Sequence, residues 1–382
     1  MKQNEHTLSK ISGQHFFLGA NTSSGFVSKF DQLADPKSGW ILFVIKGGPG
    51  TGKSSLIRKA AAAVEASGLA VEYIHCSSDA DSLDGAIFPQ LKCAVADGTP
   101  PHVIEPKYPG AYESVIFLNN CWDEKKLIPQ LSDIICLSEE ISAHHQRCCR
   151  YLSIATMLQN EVYQLISPHT LSHKIDRYAK GIAVRLFSKS GRISPGKNTF
   201  RFLSAVTNQG RLFFSETINT LCNELYFIDD PWGVSSKLLL TRIRSLALAH
   251  GYNTITCSCP LSPYDKPDHL IIPELHLAFL SGTPHHKIKS SSFHTVDKLH
   301  IIHAERFTEM EMIRHKRQRI SFISKMTERI LTDAEEQLAH AKLLHDKLET
   351  IYTGAMDFSA VQTKTDLFIE KLLQRAKEMK LI

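Results

Sequence analysis

Apolar positions along the chain follow two periods. Short apolar runs bounded by Gly and Pro lie at 41–46, 71–76, 92–96, 225–229, 254–259 and 276–280, and read as buried strands. Between them, 53–66 and 236–250 carry apolar residues at helical spacing. An alternating hairpin is expected ahead of each group, pairing 15–20 with 26–29 and 200–206 with 211–214, and a further strand fits 114–118. Strands alternating with helices indicate a parallel α/β sheet. Longer helical segments follow, over 131–166 and then 171–187 beyond Pro168. A second stripe, from Ile320 and Ile323 through Leu338 and Leu348 to Ile351, marks one long helix broken at Gly354, with a shorter return over 359–380. The economical reading of each long segment is an antiparallel helical appendage.

These elements occur twice. Residues 81–102 (DSLDGAIFPQLKCAVADGTPPH) align without a gap over 265–286 (DKPDHLIIPELHLAFLSGTPHH), with ten of 22 positions identical. FLGANT at 17–22 matches FLSAVT at 202–207, and Gly25 then falls on Gly210. A single repeat about 184 residues long is a domain duplication, not a solenoid. The first half is expected over 1–190, with its appendage at about 123–189. The second is expected over 198–382, with its appendage at about 303–380. The Gly/Ser/Pro-rich stretch 188–198 marks the boundary.

The strongest chemical signal is in the first half. Residues 47–54 read GGPGTGKS, matching G-x-x-x-x-G-K-[ST] between an apolar strand and a helix, the setting of a P-loop. Gly47, Gly48, Gly50 and Gly52, with Pro49 and Thr51 between them, let the backbone turn its N–H groups inward around an anion. The helix that follows adds the partial positive charge of its N-terminus. Lys53 would neutralise the β- and γ-phosphates of a nucleotide. The Ser54 hydroxyl would ligate Mg2+, and Ser55 extends the binding stretch.

Beyond the loop, hydrolysis or transfer needs an acid for Mg2+ and a group to orient the nucleophile. Asp97 closes the apolar run 93–96 and fits a magnesium-binding or basic role. Asp79, in the stretch HCSSD at 75–79, is the further catalytic candidate. Asp81, Asp84 and His102 recur as Asp265, Asp268 and His286, and so read as loop architecture. Cys76 as a nucleophile is a weaker alternative, since no base is identified for it. The second half fills the same slot with DPWGVSSKL at 230–238. Registered on the strand, Asp230 falls opposite Gly47, Gly233 opposite Gly50, Ser235 opposite Gly52 and Ser236 opposite Lys53; sliding by one sets Lys237 on Lys53 but loses Gly233, neither register restores the motif, and Ser281 replaces Asp97. Carboxylates where phosphates would sit make this a degenerate site; a different ligand stacked on Trp232 is the alternative.

The linked stretches GGPGTGKSS (47–55), HCSSDADSLDG (75–85), DGTPPHVIEPKYPG (97–110) and PLSPYDKPDHLIIPEL (260–275) resemble an uncharacterised bacterial family of ATP-binding proteins with two tandem P-loop halves. The resemblance spans nearly the whole chain. It implies a P-loop NTPase fold and ATP binding, in a family whose members are described only as ATPases or nucleotide kinases. That family carries a P-loop in its second half as well, and this chain departs from it at 230–238.

Composition narrows the function classes. The chain is 43% hydrophobic and 22% charged, as expected of a soluble globular protein. It has no apolar run near the roughly 20 residues that cross a bilayer, and its opening, MKQNEHTLSK, lacks the apolar core of a secretory signal. A net charge of +5 without a dense basic block does not indicate nucleic acid. Nine cysteines without zinc-knuckle spacing read as reduced thiols in a cytoplasmic protein. The expectation is a Mg-ATP-binding ATPase with one active half, whose helical appendages offer a surface to a protein partner. The alternatives are a small-molecule or nucleotide kinase and a non-hydrolysing nucleotide sensor.

Overall fold

A computed structural model describes residues 13–187, 194–283, 288–293 and 295–382. The opening decapeptide, His286 and part of the expected boundary stretch lie outside the described residues. The first half runs β1 (Gln14–Phe17), β2 (Gly19–Thr22), β3 (Gly25–Ser28), β4 (Ile41–Lys46), α1 (Lys53–Ala66), β5 (Glu72–His75), β6 (Leu83–Phe88), β7 (Cys93–Asp97) and β8 (Glu113–Phe117). The helices α2 (Glu124–Leu127), α3 (Leu131–Ile166) and α4 (Ser172–Leu186) follow. The second half runs β9 (Asn198–Arg201), β10 (Ser204–Thr207), β11 (Gly210–Phe213), α5 (Ser215–Leu221), β12 (Glu224–Asp229), α6 (Val234–Ala249), β13 (Thr254–Cys259), β14 (Ser262–Ile272), β15 (Leu277–Gly282) and β16 (Lys298–His303). It ends in α7 (Met310–Arg314), α8 (Arg317–Thr353) and α9 (Phe358–Glu378).

Both halves build a six-stranded sheet of one topology. The orders are β1-β5-β6-β7-β4-β8 and β9-β13-β14-β15-β12-β16, so each strand occupies its counterpart's place. The expected all-parallel sheet is corrected to a mixed one. β6 runs antiparallel between β5 and β7, and β14 does the same between β13 and β15. The repeated segment 81–102 spans β6 and β7, and Asp84, expected in loop architecture, lies within the reversed strand β6. The short link from His75 to Leu83 leaves no room for the crossover helix that a parallel return requires. The expected opening hairpins are corrected too. Each first strand breaks after four residues, so β1 and β9 join the main sheets while β2–β3 and β10–β11 form separate two-stranded ribbons.

The halves share one core. Phe17 and Phe202 exchange backbone hydrogen bonds at 2.8 and 2.9 Å. Phe16, Phe17 and Leu18 pack in one cluster with Phe202, Leu203 and Phe214. Each buried phenylalanine removes enough apolar surface to contribute about 1.5–3 kcal/mol. A partly buried ion pair between Arg201 and Glu72, at 3.2 Å, also crosses this junction.

The helices are exchanged between halves. α3 and α8 lie antiparallel, since Trp122 pairs with Met356 at one end and Thr170 with Thr308 at the other. Cys148, Leu152 and Ala155 of α3 meet Leu331, Ala334 and Leu338 of α8 in an apolar seam. This pairing delivers α4 to the second half, where Ile175, Ala179 and Ile182 cover Leu239, Leu240 and Ile243 of α6. α9 crosses the other way. Its Val361, Phe368 and Leu372 join Phe43, Leu56 and Ile57 in the core of the first half. The apolar stripes seen in the sequence are therefore largely spent on contacts within the chain. Among the described residues no helix is long and apolar enough to cross a membrane.

Candidate functional site

β4 ends at Lys46, between β7 and the edge strand β8. The glycine-rich segment 47–52 leads from there into α1. Gly50 and Gly52 have φ of +66° and +87°, a region in which a side chain would strain the backbone. Gly52 is the N-cap of α1 and Lys53 its first residue. The Lys53 ammonium donates to the Gly47 and Gly48 carbonyl oxygens at 2.7 Å each, and the Thr51 hydroxyl donates to Gly48 at 2.8 Å. The Ser54 hydroxyl accepts the Leu83 N–H at 2.9 Å, tying the helix start to β6. Ser55 is exposed.

Asp97 sits at the end of β7, paired in register with Ile45. One of its oxygens accepts the N–H and the hydroxyl of Thr99, at 2.9 and 2.6 Å. The other lies 3.5 Å from the Lys53 ammonium. The fold thus brings together two of the three catalytic candidates, from segments more than forty residues apart. Asp79, the third, turns elsewhere. It accepts from Ser82 at 2.8 Å and pairs with Lys342 of α8 at 3.0 Å. Burial opposes the charge on Lys342, yet hydrogen bonds to Asp346 and Asp79 hold the ammonium above its usual range.

Asp84 is a member of this neighbourhood that sequence reasoning set aside. It lies within β6, not in a loop, and is buried. Burial pushes its carboxyl up to about 6. The charges of His102 and Lys53 oppose the shift, as does a hydrogen bond with the Cys76 thiol, while Asp97 adds to it. Its persistence as Asp268 was the signal for a core role in both sheets. Burial also drives the Cys76 thiol well above its ordinary range, opposite to what a nucleophilic thiolate requires. His102 is buried with its ring stacked on Phe30 at 4.5 Å, and neither ring nitrogen makes a hydrogen bond among the described residues.

The second half supplies an internal comparison. β4 and β12 match residue for residue, and the following helices end in the same turn, at Gly68 and Gly251. Counting from either end without a gap sets Asp230 on Gly47, Gly233 on Gly50, Ser235 on Gly52 and Ser236 on Lys53. Gly233 keeps the left-handed φ of Gly50, at +72°. Ser235 does not reproduce the conformation of Gly52, so α6 begins two residues earlier than the expected start at 236 and winds up the end of the loop. Asp230 is buried, and its carboxylate accepts the backbone N–H of Trp232 at 3.1 Å and of Ser236 at 2.7 Å. An internal anion therefore takes the donors that the loop turns inward. Ser281, in register with Ile228 as Asp97 is with Ile45, meets the Ser236 hydroxyl at 3.0 Å.

Residues far along the chain complete the first site. A methyl group on Gly50 would lie 2.9 Å from the Glu349 carbonyl oxygen and 3.1 Å from the Thr353 side chain. One on Gly48 would meet the Trp122 ring at 3.1 Å and Tyr352 at 3.6 Å. Nothing in the spacing of these residues signals the contact, because it depends on the exchange of helices between halves. No family model, curated protein or solved structure matches the chain.

Proposed function

We propose that the first half binds Mg-ATP at residues 47–55 and hydrolyses it, and that the second half is a degenerate copy serving as scaffold. The observation that carries this reading is the loop itself. Two left-handed glycines turn the backbone at the mouth of α1, a lysine opens the helix, and Asp97 faces that lysine from the neighbouring strand end. The residues fit a polyphosphate. Gly47, Gly48, Pro49, Gly50, Thr51 and Gly52 supply a backbone able to point N–H groups at an anion, and the α1 N-terminus adds partial positive charge.

Within this reading Lys53 carries the positive charge for the β- and γ-phosphates. The hydroxyl of Ser54 and the carboxylate of Asp97 would hold Mg2+, which supplies charge neutralisation when bound. Asp97 is fixed for that role by its two hydrogen bonds from Thr99. The contrast with the second half supports a joint role, because loop glycine, lysine and acid are all replaced there. The test is equilibrium binding of ATP with Mg2+ to the full chain and to Lys53→Ala, together with phosphate release without an added acceptor. Binding with release supports an ATPase. Binding without release favours a kinase or a sensor, and absence of binding overturns the reading.

A further inference from the structure

The loop proposed to bind nucleotide is covered, and the cover belongs to the other half. Glu349, Tyr352 and Thr353, in the last turn of α8, lie over Gly48 and Gly50, and Val361 of α9 lies 3.5 Å from a methyl built on Gly52. A ligand phosphate would have to approach these same glycines. The Lys53 ammonium is turned back onto the loop's own carbonyl oxygens.

We propose that residues 349–357 form a displaceable cap, which a nucleotide must lift to enter. This inference rests on the nucleotide-binding reading above. The cap is fastened by a short antiparallel pairing to the segment after β8. The Asp123 N–H donates to Ala355 at 2.8 Å, the Asp357 N–H donates to Cys121 at 2.7 Å, and Trp122 pairs with Met356 between them. The Lys342–Asp79 ion pair adds a further tie.

The second half shows what a permanent cover looks like. There Val162 and Ile166 of α3, with Ile313, Ile320 and Ile323, bury Val234 in an apolar cluster. The loop's inward donors are already taken by Asp230. The cap over the intact loop is therefore the one that an entering anion can displace. A cap that must open lowers apparent affinity by the fraction of molecules open.

Trp122 and Met356 are the non-hydrogen-bonded pair of the fastening, with the Cα separation that a disulfide accepts. Trp122→Cys with Met356→Cys, oxidised and verified by mass, locks the cap; because the Trp122 ring faces Gly48, the oxidised protein is compared with the same variant reduced. The expected result is ATP binding weakened at least about tenfold in the oxidised protein and restored by reduction. Wild type and each single variant should bind equally with and without reductant. Tyr352→Ala, which loosens the cap, should tighten binding by about three- to tenfold. Equal binding by the oxidised and reduced double variant would overturn the cap and leave the nucleotide site standing. Absence of binding by the wild type would remove both.

Discussion

The Lys53 ammonium lies 3.5 Å from the Asp97 carboxylate, and the equivalent residues of the second half, Ser236 and Ser281, meet hydroxyl to hydroxyl at 3.0 Å. One fold has thus kept its strand ends and exchanged the chemistry they present. The hydroxyl pair is neutral and satisfied within the protein. The ammonium–carboxylate pair is suited to a charged ligand, because each group can turn to a stronger partner.

Asp97→Asn tests the acid of that pair. The amide oxygen can still accept from Thr99, so the fold should hold. Even a group that only orients a metal's ligands typically accounts for about 10–100-fold of activity or metal affinity, so removal of a carboxylate that would itself hold Mg2+ is expected to cost at least that much Mg-dependent turnover. Steady-state kinetics across a magnesium titration would show it. An unchanged rate at every magnesium level would remove Asp97 from the site.

Asp230→Ala tests the internal anion of the second half. It strands two backbone donors, those of Trp232 and Ser236, and leaves Lys266 with Asp268 alone of its two acidic neighbours. Loss of a buried charged acceptor should cost about 1–3 kcal/mol, seen as a lowered urea midpoint. Turnover per folded molecule should not change.

Phe368→Ala tests the helix exchange. Phe368 belongs to the second repeat in sequence but packs against Phe43 in the core of the first, with ring centroids 4.9 Å apart. Truncating such a buried ring costs about 3–5 kcal/mol. With the helices exchanged, fluorescence and circular dichroism should follow one shared transition. Two separate transitions, with only the second displaced, would contradict the exchange.

A pH prediction follows from His75. Burial drives its pKa down to about 3. A hydrogen bond to the Ala80 carbonyl opposes the shift, and the charge of nearby His15 adds to it. Its Nε2 lies 2.9 Å from the His15 ring. The unfolded chain binds this proton near pH 6.5 and the folded chain does not. The stability contributed is thus complete above pH 6.5 and is lost as pH falls toward 3, by about 1.4 kcal/mol per pH unit. Denaturation of wild type and His75→Gln between pH 7.5 and 4 should give a difference that is flat above 6.5 and narrows below it.

The sequence carried the repeat, the strand–loop–helix around Lys53 and the boundaries of α1 and α3, because contiguous patterning determines them. The register of the degenerate loop was open by one residue in the sequence, and the matched strands and helix-end glycines set Ser236, not Lys237, on Lys53. The direction of β6 was hidden. A buried strand such as 83–88 shows no period that separates parallel from antiparallel. Asp84 was discounted because both halves keep it, although a shared core position and proximity to Asp97 are compatible. The contact of Glu349 with Gly50 was beyond reach, because it is made by helices that leave their own half.

The most direct test of the central claim is phosphate release from ATP by the purified full chain with Mg2+, beside Lys53→Ala. The account predicts turnover in the wild type that is lost in the variant while both keep the same circular dichroism spectrum. Neither binding nor release of ATP by the folded wild type would contradict it.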